Sequence, residues 1–211
     1  MSPFTREPHW FVRPGVLSED HPGLLNPTFD LLDYPIVMGR ADDDFLRADN
    51  AAGDTVVLSF EQGLDRVAKI AGVLRLLGVG VSADGVQDDT PDARVHITAE
   101  VPALARELVR LAVLRLGGLL TADPAAPIRV EAAEPSQTAT GAGLSELQRR
   151  SMRKLPSHVE GVRISAPDFA AVLEVLVRDG RIEPAPALEL PADLVVEETA
   201  DGGRITARQR M

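Results

Sequence analysis

Few side chains in this sequence have the types and spacing that chemistry needs. The four histidines, His9, His21, His96 and His158, are scattered, and no pair has the spacing of metal ligands. His96 falls in a strand-like run, where a packed or hydrogen-bonded imidazole is expected rather than a ligand. Asp42, Asp43 and Asp44 are consecutive, so their carboxylates point in different directions and read as a solvated loop rather than a cation site. Glu197, Glu198 and Asp201 gather acids near the last strand and read as a solvated turn. Arg149, Arg150, Arg153 and Lys154 end a short helix opened by Ser145 and Gln148. They read as a helix C-terminus favoured by its dipole, with an anion grip as the alternative. No nucleophile elbow, Walker loop or dinucleotide fingerprint follows a strand.

Composition narrows the field. The chain has 211 residues, 45% of them hydrophobic, enough for one large domain with its own core. It has no cysteine, which excludes disulfides, thiolate metal sites and cysteine nucleophiles. A net charge of −10 argues against nucleic acid and against anionic membrane surfaces. No apolar run is long enough for a membrane span, and the first residues carry no signal-peptide core. The expected location is the cytoplasm.

The elements that would position a site are organised around Thr55 to Val81. Val56, Val57 and Leu58 favour a strand. Ser59 and Gln62 form a capping box, Leu64, Val67, Ala71, Leu74 and Leu77 repeat at helical spacing, and Gly78 is the stop. Before this stretch, residues 1–27 hold Pro3, Pro8, Pro14, Pro22 and Pro27. They are expected to form an extended arm anchored by Trp10 and Phe11, an aromatic hook for a partner being the alternative. Residues 28–38 should be a short helix broken near Pro35, and residues 39–54 an acidic loop.

After it, Arg94 to Thr98 reads as a strand, and Pro102 opens a helix through Leu104, Leu108, Leu111, Ala112 and Leu116, closed by Gly117 and Gly118. Short strands follow at residues 119–121 and 128–131. The two long helices end alike, as VLRLLGV and VLRLGGL, which marks a repeated β-α unit. Val159 to Ile164 should be a strand, and Ser165 and Asp168 should cap a helix through Phe169, Val172, Leu173 and Leu176 that stops at Gly180. A short strand over residues 194–196 and a turn at Asp201-Gly202-Gly203 precede a basic tail. Strands alternating with helices imply an α/β fold: a mostly parallel sheet with helices on both faces. The expected divisions are an arm (1–27), an α/β domain (28–197) and a terminal loop with its tail (198–211).

This order of elements resembles the N-terminal part of AMP-forming acyl-CoA synthetases, in the acetyl- and propionyl-CoA branch of the adenylate-forming family. Trp10-Phe11, Leu25-Asn26 and Leu32-Asp33 look like that branch's lead-in. Leu58, Leu64, Val67, Ala71, Leu74, Leu77, Gly78 and Val79 follow the family's segment T-Y-x-x-L-x-x-V-x-x-x-A-x-x-L-x-x-L-G-V, with Phe60 at its strand end. Val95, Ile97, Pro102, Leu114, Arg115, Gly117, Asp123 and Pro124 match the next one. Asp168-Phe169 and the proline-rich run from Pro184 to Pro191 resemble the approach to the family's phosphate loop. The resemblance covers nearly the whole chain and the first third of a typical synthetase.

The resemblance implies a phosphate loop of the type T-S-G-[ST]-[ST]-G-x-P-K, whose amides, hydroxyls and lysine cradle ATP. This chain has Glu198 to Thr206, ETADGGRIT, at that place. Thr199, Gly202, Gly203 and Arg204 are the residues left to bind a nucleotide phosphate, while Asp201 would repel one. The family's adenine, ribose and acyl sites and its C-terminal lid are expected to be missing. No catalytic residue and no metal ligand is carried over. The expectation is a non-catalytic, acyl-CoA synthetase-like pseudoenzyme that binds, assembles or regulates as a homo-oligomer or with a protein partner. The alternatives are one part of a split synthetase of the acid–CoA ligase type, or a binder of ATP, AMP or acyl-CoA. In either alternative the cofactor is ATP/AMP or CoA.

Overall fold

Residues 24–80, 94–133 and 156–210 are described by the computed structural model of this chain. Trp10, Phe11, His9, His21, the loop from Ser82 to Pro91 and the basic segment from Ser145 to Lys154 lie outside the described residues.

The capping box forms as its residues dictate. Strand β3 (Thr55–Ser59) runs directly into helix α2 (Phe60–Leu76). The Gln62 N–H donates to the Ser59 hydroxyl at 3.3 Å, and the Ser59 N–H donates to the Gln62 side chain at 3.2 Å. Two otherwise free amides are satisfied reciprocally. Ser59→Ala should therefore lower stability by about 1 kcal/mol, read as a shift of the urea midpoint with an unchanged slope.

At its other end α2 stops at Gly78, whose φ of +84° suits glycine. The Gly78 N–H reaches the Arg75 carbonyl and the Val79 N–H the Leu74 carbonyl. Helix α3 (Ala103–Leu116) closes in the same way at Gly117 (φ +69°), with the Gly118 N–H on the Val113 carbonyl. The two similar helix endings of the sequence are thus one physical device, a left-handed glycine with a crossed pair of hydrogen bonds. Pro102 immediately precedes α3 rather than sitting inside its first turn.

Helices α2 and α3 pack on each other. Val67, Ile70, Ala71 and Leu74 of α2 are fully buried, as are Leu104, Leu108, Val109 and Ala112 of α3. Behind them lies a seven-stranded sheet. Its centre is β4 (Arg94–Ile97), with β5 (Leu119–Thr121) on one side and β6 (Ile128–Ala132) on the other, both parallel to it. Strand β7 (Val162–Ala166) adds antiparallel to β6, and β8 (Phe169–Val172) antiparallel to β7. On the opposite side β10 (Val195–Glu198) pairs parallel with β5, and β11 (Arg204–Thr206) closes that edge antiparallel to β10. The fold is α/β, with four parallel strands at the centre and antiparallel hairpins at both edges. A two-stranded sheet joins β1 (Leu24–Leu25) to β9 (Leu190–Pro191), so residues counted with the arm are built into the body.

Three expectations fail for local reasons. Residues 39–54 are not all loop: β2 (Asp44–Asp49) pairs antiparallel with β3, setting Leu46 opposite Leu58. The flanking aspartates hid a short strand with Phe45 and Leu46 half-buried. The helix near Pro35 does not break there. A π-helical turn, Phe29–Asp33, runs straight into α1 (Tyr34–Val37), and Pro35 falls in the first turn of α1, where no N–H is required. The helix expected after Asp168 begins late. Pro167 and Asp168 instead form a two-residue hairpin turn, with Ala166 opposite Phe169, and only Leu173–Val177 is helical (α4). The β-branched and aromatic residues around the turn favour pairing over capping.

Candidate functional site

Two places hold the residues singled out from sequence. The first is the turn between β10 and β11, where Thr199, Gly202, Gly203 and Arg204 were expected to meet a phosphate. The Gly202 N–H donates to the Thr199 carbonyl at 2.9 Å, and the Thr199 N–H to the Gly203 carbonyl at 2.9 Å. Gly202 has φ +83°. The Thr199 hydroxyl donates to the Asp201 carboxylate, which also takes the Gly203 N–H at 3.4 Å. Those bonds, the hydroxyl first, hold the Asp201 carboxyl below its ordinary value, so it is ionised at neutral pH. Arg204 reaches across the hairpin to Glu198 at 3.6 Å, and Glu197 pairs with Arg210. The structure therefore brings the four residues together in one exposed hairpin. Their local bonds are already made, and an acid stands among them.

The second place follows from topology. From β4 the chain passes through α3 to β5 on one side, then returns to β6 on the other side of β4. That reversal opens a crevice at the carboxyl ends of β4 and β6, where α/β sheets bind ligands. A cavity of about 640 Å³ lies there. Glu100 and Pro102 line it from the end of β4, Ala132 from the end of β6, and His158 and Glu160 from the entry to β7. The turn of the β2–β3 hairpin contributes Asn50 and Ala51.

Glu160 and His158 form a tight unit. One oxygen of Glu160 accepts the Ser157 N–H at 2.8 Å, the Ser157 hydroxyl at 3.0 Å and the His158 N–H at 3.2 Å. Burial pushes this carboxyl up, but these donors outweigh burial and hold it below its ordinary range. His158 sits at φ +64°, in the left-handed region. Burial drives its imidazole toward the neutral form. Glu160 opposes that, while Arg66 and Arg178 reinforce it. Glu174 behaves oppositely to Glu160: burial, helped by the Glu160 charge, raises it.

A stability profile follows from these directions. His158 and Glu160 both have depressed folded values. Their contributions are complete above the unfolded values, near 6.5 and 4.5, and are lost as pH falls through the folded ones. Glu174, raised in the fold, contributes in the other direction and only at acidic pH. Between pH 7.5 and 5.5 the fold should thus weaken through His158. His158→Asn keeps the left-handed backbone accessible and removes the proton site. Its urea midpoint should change less than the wild type's across that interval.

His96 is hydrogen-bonded, as a strand histidine should be: its Nδ1 lies 3.0 Å from the Thr121 carbonyl. Asp42, Asp43 and Asp44 are exposed, and Arg40 pairs with Asp43 at 2.8 Å. Among the described residues no cluster of three or more histidines and acids could hold a metal, and no helix is long and apolar enough to cross a membrane.

Sequence reasoning missed the polar centre of the fold. Arg115, on α3, is only 4% exposed. Its guanidinium donates twice to the Asp33 carboxylate, at 2.7 and 2.9 Å, and its Nε donates to the Ala185 carbonyl at 2.9 Å. Its own carbonyl accepts from Asn26 Nδ2 at 3.0 Å and from the Leu188 N–H at 3.1 Å. Asn26 is fully buried, and its Oδ1 takes both the N–H and the hydroxyl of Thr28. The signal was present: Leu104, Leu108, Leu111 and Arg115 form one helical stripe, so a cation had to lie on the buried face. Ser157 with Glu160 three residues on was a second signal, a capping-box pattern that here closes a turn.

No protein-family model matches the sequence, and no curated protein sequence matches it. Among solved structures, the chain is similar to an acyl-CoA synthetase from Brucella canis, at 16% identity over 88% of this chain and 34% of that one, with a TM-score of 0.48. It is similar to a benzoate CoA ligase from Burkholderia xenovorans at 15% identity, over 88% of this chain and 35% of that one, with a TM-score of 0.49. It is also similar to MatB from Rhodopseudomonas palustris at 19% identity, over 86% and 34%, with a TM-score of 0.44. The chain spans about a third of the length of each, 34% to 35%.

Proposed function

We propose that this chain is a non-catalytic relative of the N-terminal subdomain of AMP-forming acyl-CoA synthetases. It works in the cytoplasm as a binding, assembly or regulatory subunit, self-associated or joined to a protein partner. The observation that carries the reading is Asp201. It stands ionised in the turn that the sequence resemblance sets at the phosphate loop's place, and it occupies the Thr199 hydroxyl and the Gly203 N–H, two donors a phosphate would need. Like charge and donors already in use both act against a triphosphate. The purified chain should give no ATP–pyrophosphate exchange with acetate or propionate, and light scattering should show an assembly larger than one chain. Measurable exchange by the chain alone, or a strict monomer that also retains no partner in a pull-down from its host, would overturn the proposal.

A second reading is favoured by the crevice at the carboxyl ends of β4 and β6. There the chain would bind ATP, AMP or an acyl-CoA, alone or as one part of a split synthetase. Calorimetry with the three ligands separates the readings. Micromolar binding lost on changing Gly202 or Gly203 supports the hairpin as a surviving nucleotide site. Binding lost instead on Glu100→Gln assigns the ligand to the crevice.

A further inference from the structure

The α2 helix and the end of α4 enclose a second cavity, of about 340 Å³, which adjoins the crevice through Pro156 and opens on its other side. Arg66 and Lys69 line it from α2, three residues apart and so on one helix face. Arg178 lines it from the end of α4, with Ser157 between them. We propose that this cleft is a binding site for a phosphate-class oxyanion carried on a small organic molecule.

Charge is the first argument. Arg66 and Lys69 share a single carboxylate, Asp65, with Lys69 at 3.0 Å. Arg178 pairs with Glu174 at 3.2 Å. Asp179 is the acid that lines the cleft, and both of its oxygens are engaged by Arg181. That engagement pushes the Asp179 carboxyl down to about 2, so the pair is a neutral unit. Three cations therefore line the cleft against one acid that Arg181 already neutralises; with Asp65, Glu174 and the nearby Glu160 counted, four cations balance four carboxylates, in a chain whose net charge is −10. Glu160 is close by, but its carboxylate is turned to the Ser157 and His158 amides.

Unmet hydrogen bonding is the second. The Arg66 Nε–H is buried and has no hydrogen-bond partner among the described residues. A buried guanidinium donor without an acceptor is uncommon and costly. The Arg66 Nη2 goes to the Pro156 carbonyl at 3.0 Å, which fixes the side chain along the wall of the cleft. Two of the carbonyls at the end of α4, which would repel an anion, are occupied: Glu174 by the Arg178 N–H and Leu176 by the Asp179 N–H. Two guanidinium groups and an ammonium converging from two elements suit a tetrahedral dianion better than a planar carboxylate, which one guanidinium satisfies. The cavity also exceeds what inorganic phosphate fills, leaving room for the organic part beside Val177, Ile182 and Pro184.

The test is calorimetry on the full chain at fixed ionic strength, with inorganic phosphate and methyl phosphate as probes and acetate as comparison. Saturable binding of both phosphate probes in the millimolar range is expected, weakened about tenfold or more in Lys69→Gln and in Arg66→Gln. Lys69 is the more exposed of the two, so Lys69→Gln should keep the wild-type circular dichroism and unfolding midpoint. Absence of saturation with either phosphate probe would overturn the proposal. So would undiminished binding in both variants. Acetate binding as tightly as phosphate overturns the phosphate class. Binding abolished by Arg204→Gln and untouched by Lys69→Gln would assign phosphate to the β10–β11 hairpin instead.

Discussion

Arg115→Met should cost this protein about 3–5 kcal/mol, a large part of what a domain of this size has to lose. Methionine nearly fills the volume but leaves Asp33 as an uncompensated carboxylate, its side chain 19% exposed. It also strips a donor from the Ala185 carbonyl. The damage is not confined to α3. Arg115 joins to α3 two segments far from it in sequence: the start of the body from Asn26 to Asp33, and the extended run through Ala185 and Leu188. A fall in melting temperature of roughly 6–20 °C is expected, with an unchanged urea slope if the native state stays compact. Arg115→Lys should recover only part, because one ammonium cannot make the two-oxygen grip. Combining Arg115→Met with Asp33→Leu should recover more than Arg115→Lys does, since no charge is then left buried alone. If the single variant matched wild type, the network would be ornament to a core held by α2 and α3 alone.

The same network shows where sequence reading succeeds and where it stops. What was legible was local. Ser59, Gln62 and Gly78 act within a few residues of themselves, and the structure realises the capping box and both glycine stops. Period and composition likewise gave the central parallel strands, since β4 and β6 alternate apolar with polar residues, β5 is LLT, and all three are short and flanked by helix or turn residues. Not legible were pairings decided by distant partners. Phe45 and Leu46 form a strand because β3 lies beside them, not because of their acidic neighbours. Phe169 to Val172 pair with β7 instead of winding. Asn26, Asp33 and Arg115 each matched the family resemblance as positions of fold, but one sequence cannot say that they meet. The candidate site divides in the same way. The turn at Asp201-Gly202-Gly203 was readable from its glycines. The crevice needed strand order, and the cleft beside Arg66 needed α4 to end against α2.

Gly72→Ala should destabilise the protein by about 1–3 kcal/mol, against the direction that helix propensity sets. In an exposed helix the change would be a gain of roughly 0.5–1 kcal/mol, because glycine costs more backbone entropy than alanine. Gly72 lies inside α2 and is buried. A methyl group built there overlaps the Glu183 carbonyl oxygen and comes within 3.1 Å of its carbonyl carbon and 3.3 Å of Ile182 Cγ2. The obstacle is backbone, so no side-chain rotation relieves it. Either α2 moves from its seat on α3 or the run through Glu183 lifts away. The second is the softer path, because that run is extended chain, tied to α2 by the Ala185 N–H on the Ala68 carbonyl at 2.8 Å. Lifting it also strains the Arg115 bond to the Ala185 carbonyl, so the substitution attacks the polar centre from the opposite side. Hydrogen exchange at the Ala185 amide should accelerate more than at amides in the middle of α3. Gly180→Ala is the matched comparison: a methyl there meets nothing within 4 Å, and its effect should stay within about 0.5 kcal/mol. A stabilising Gly72→Ala would mean that the extended run does not rest on α2.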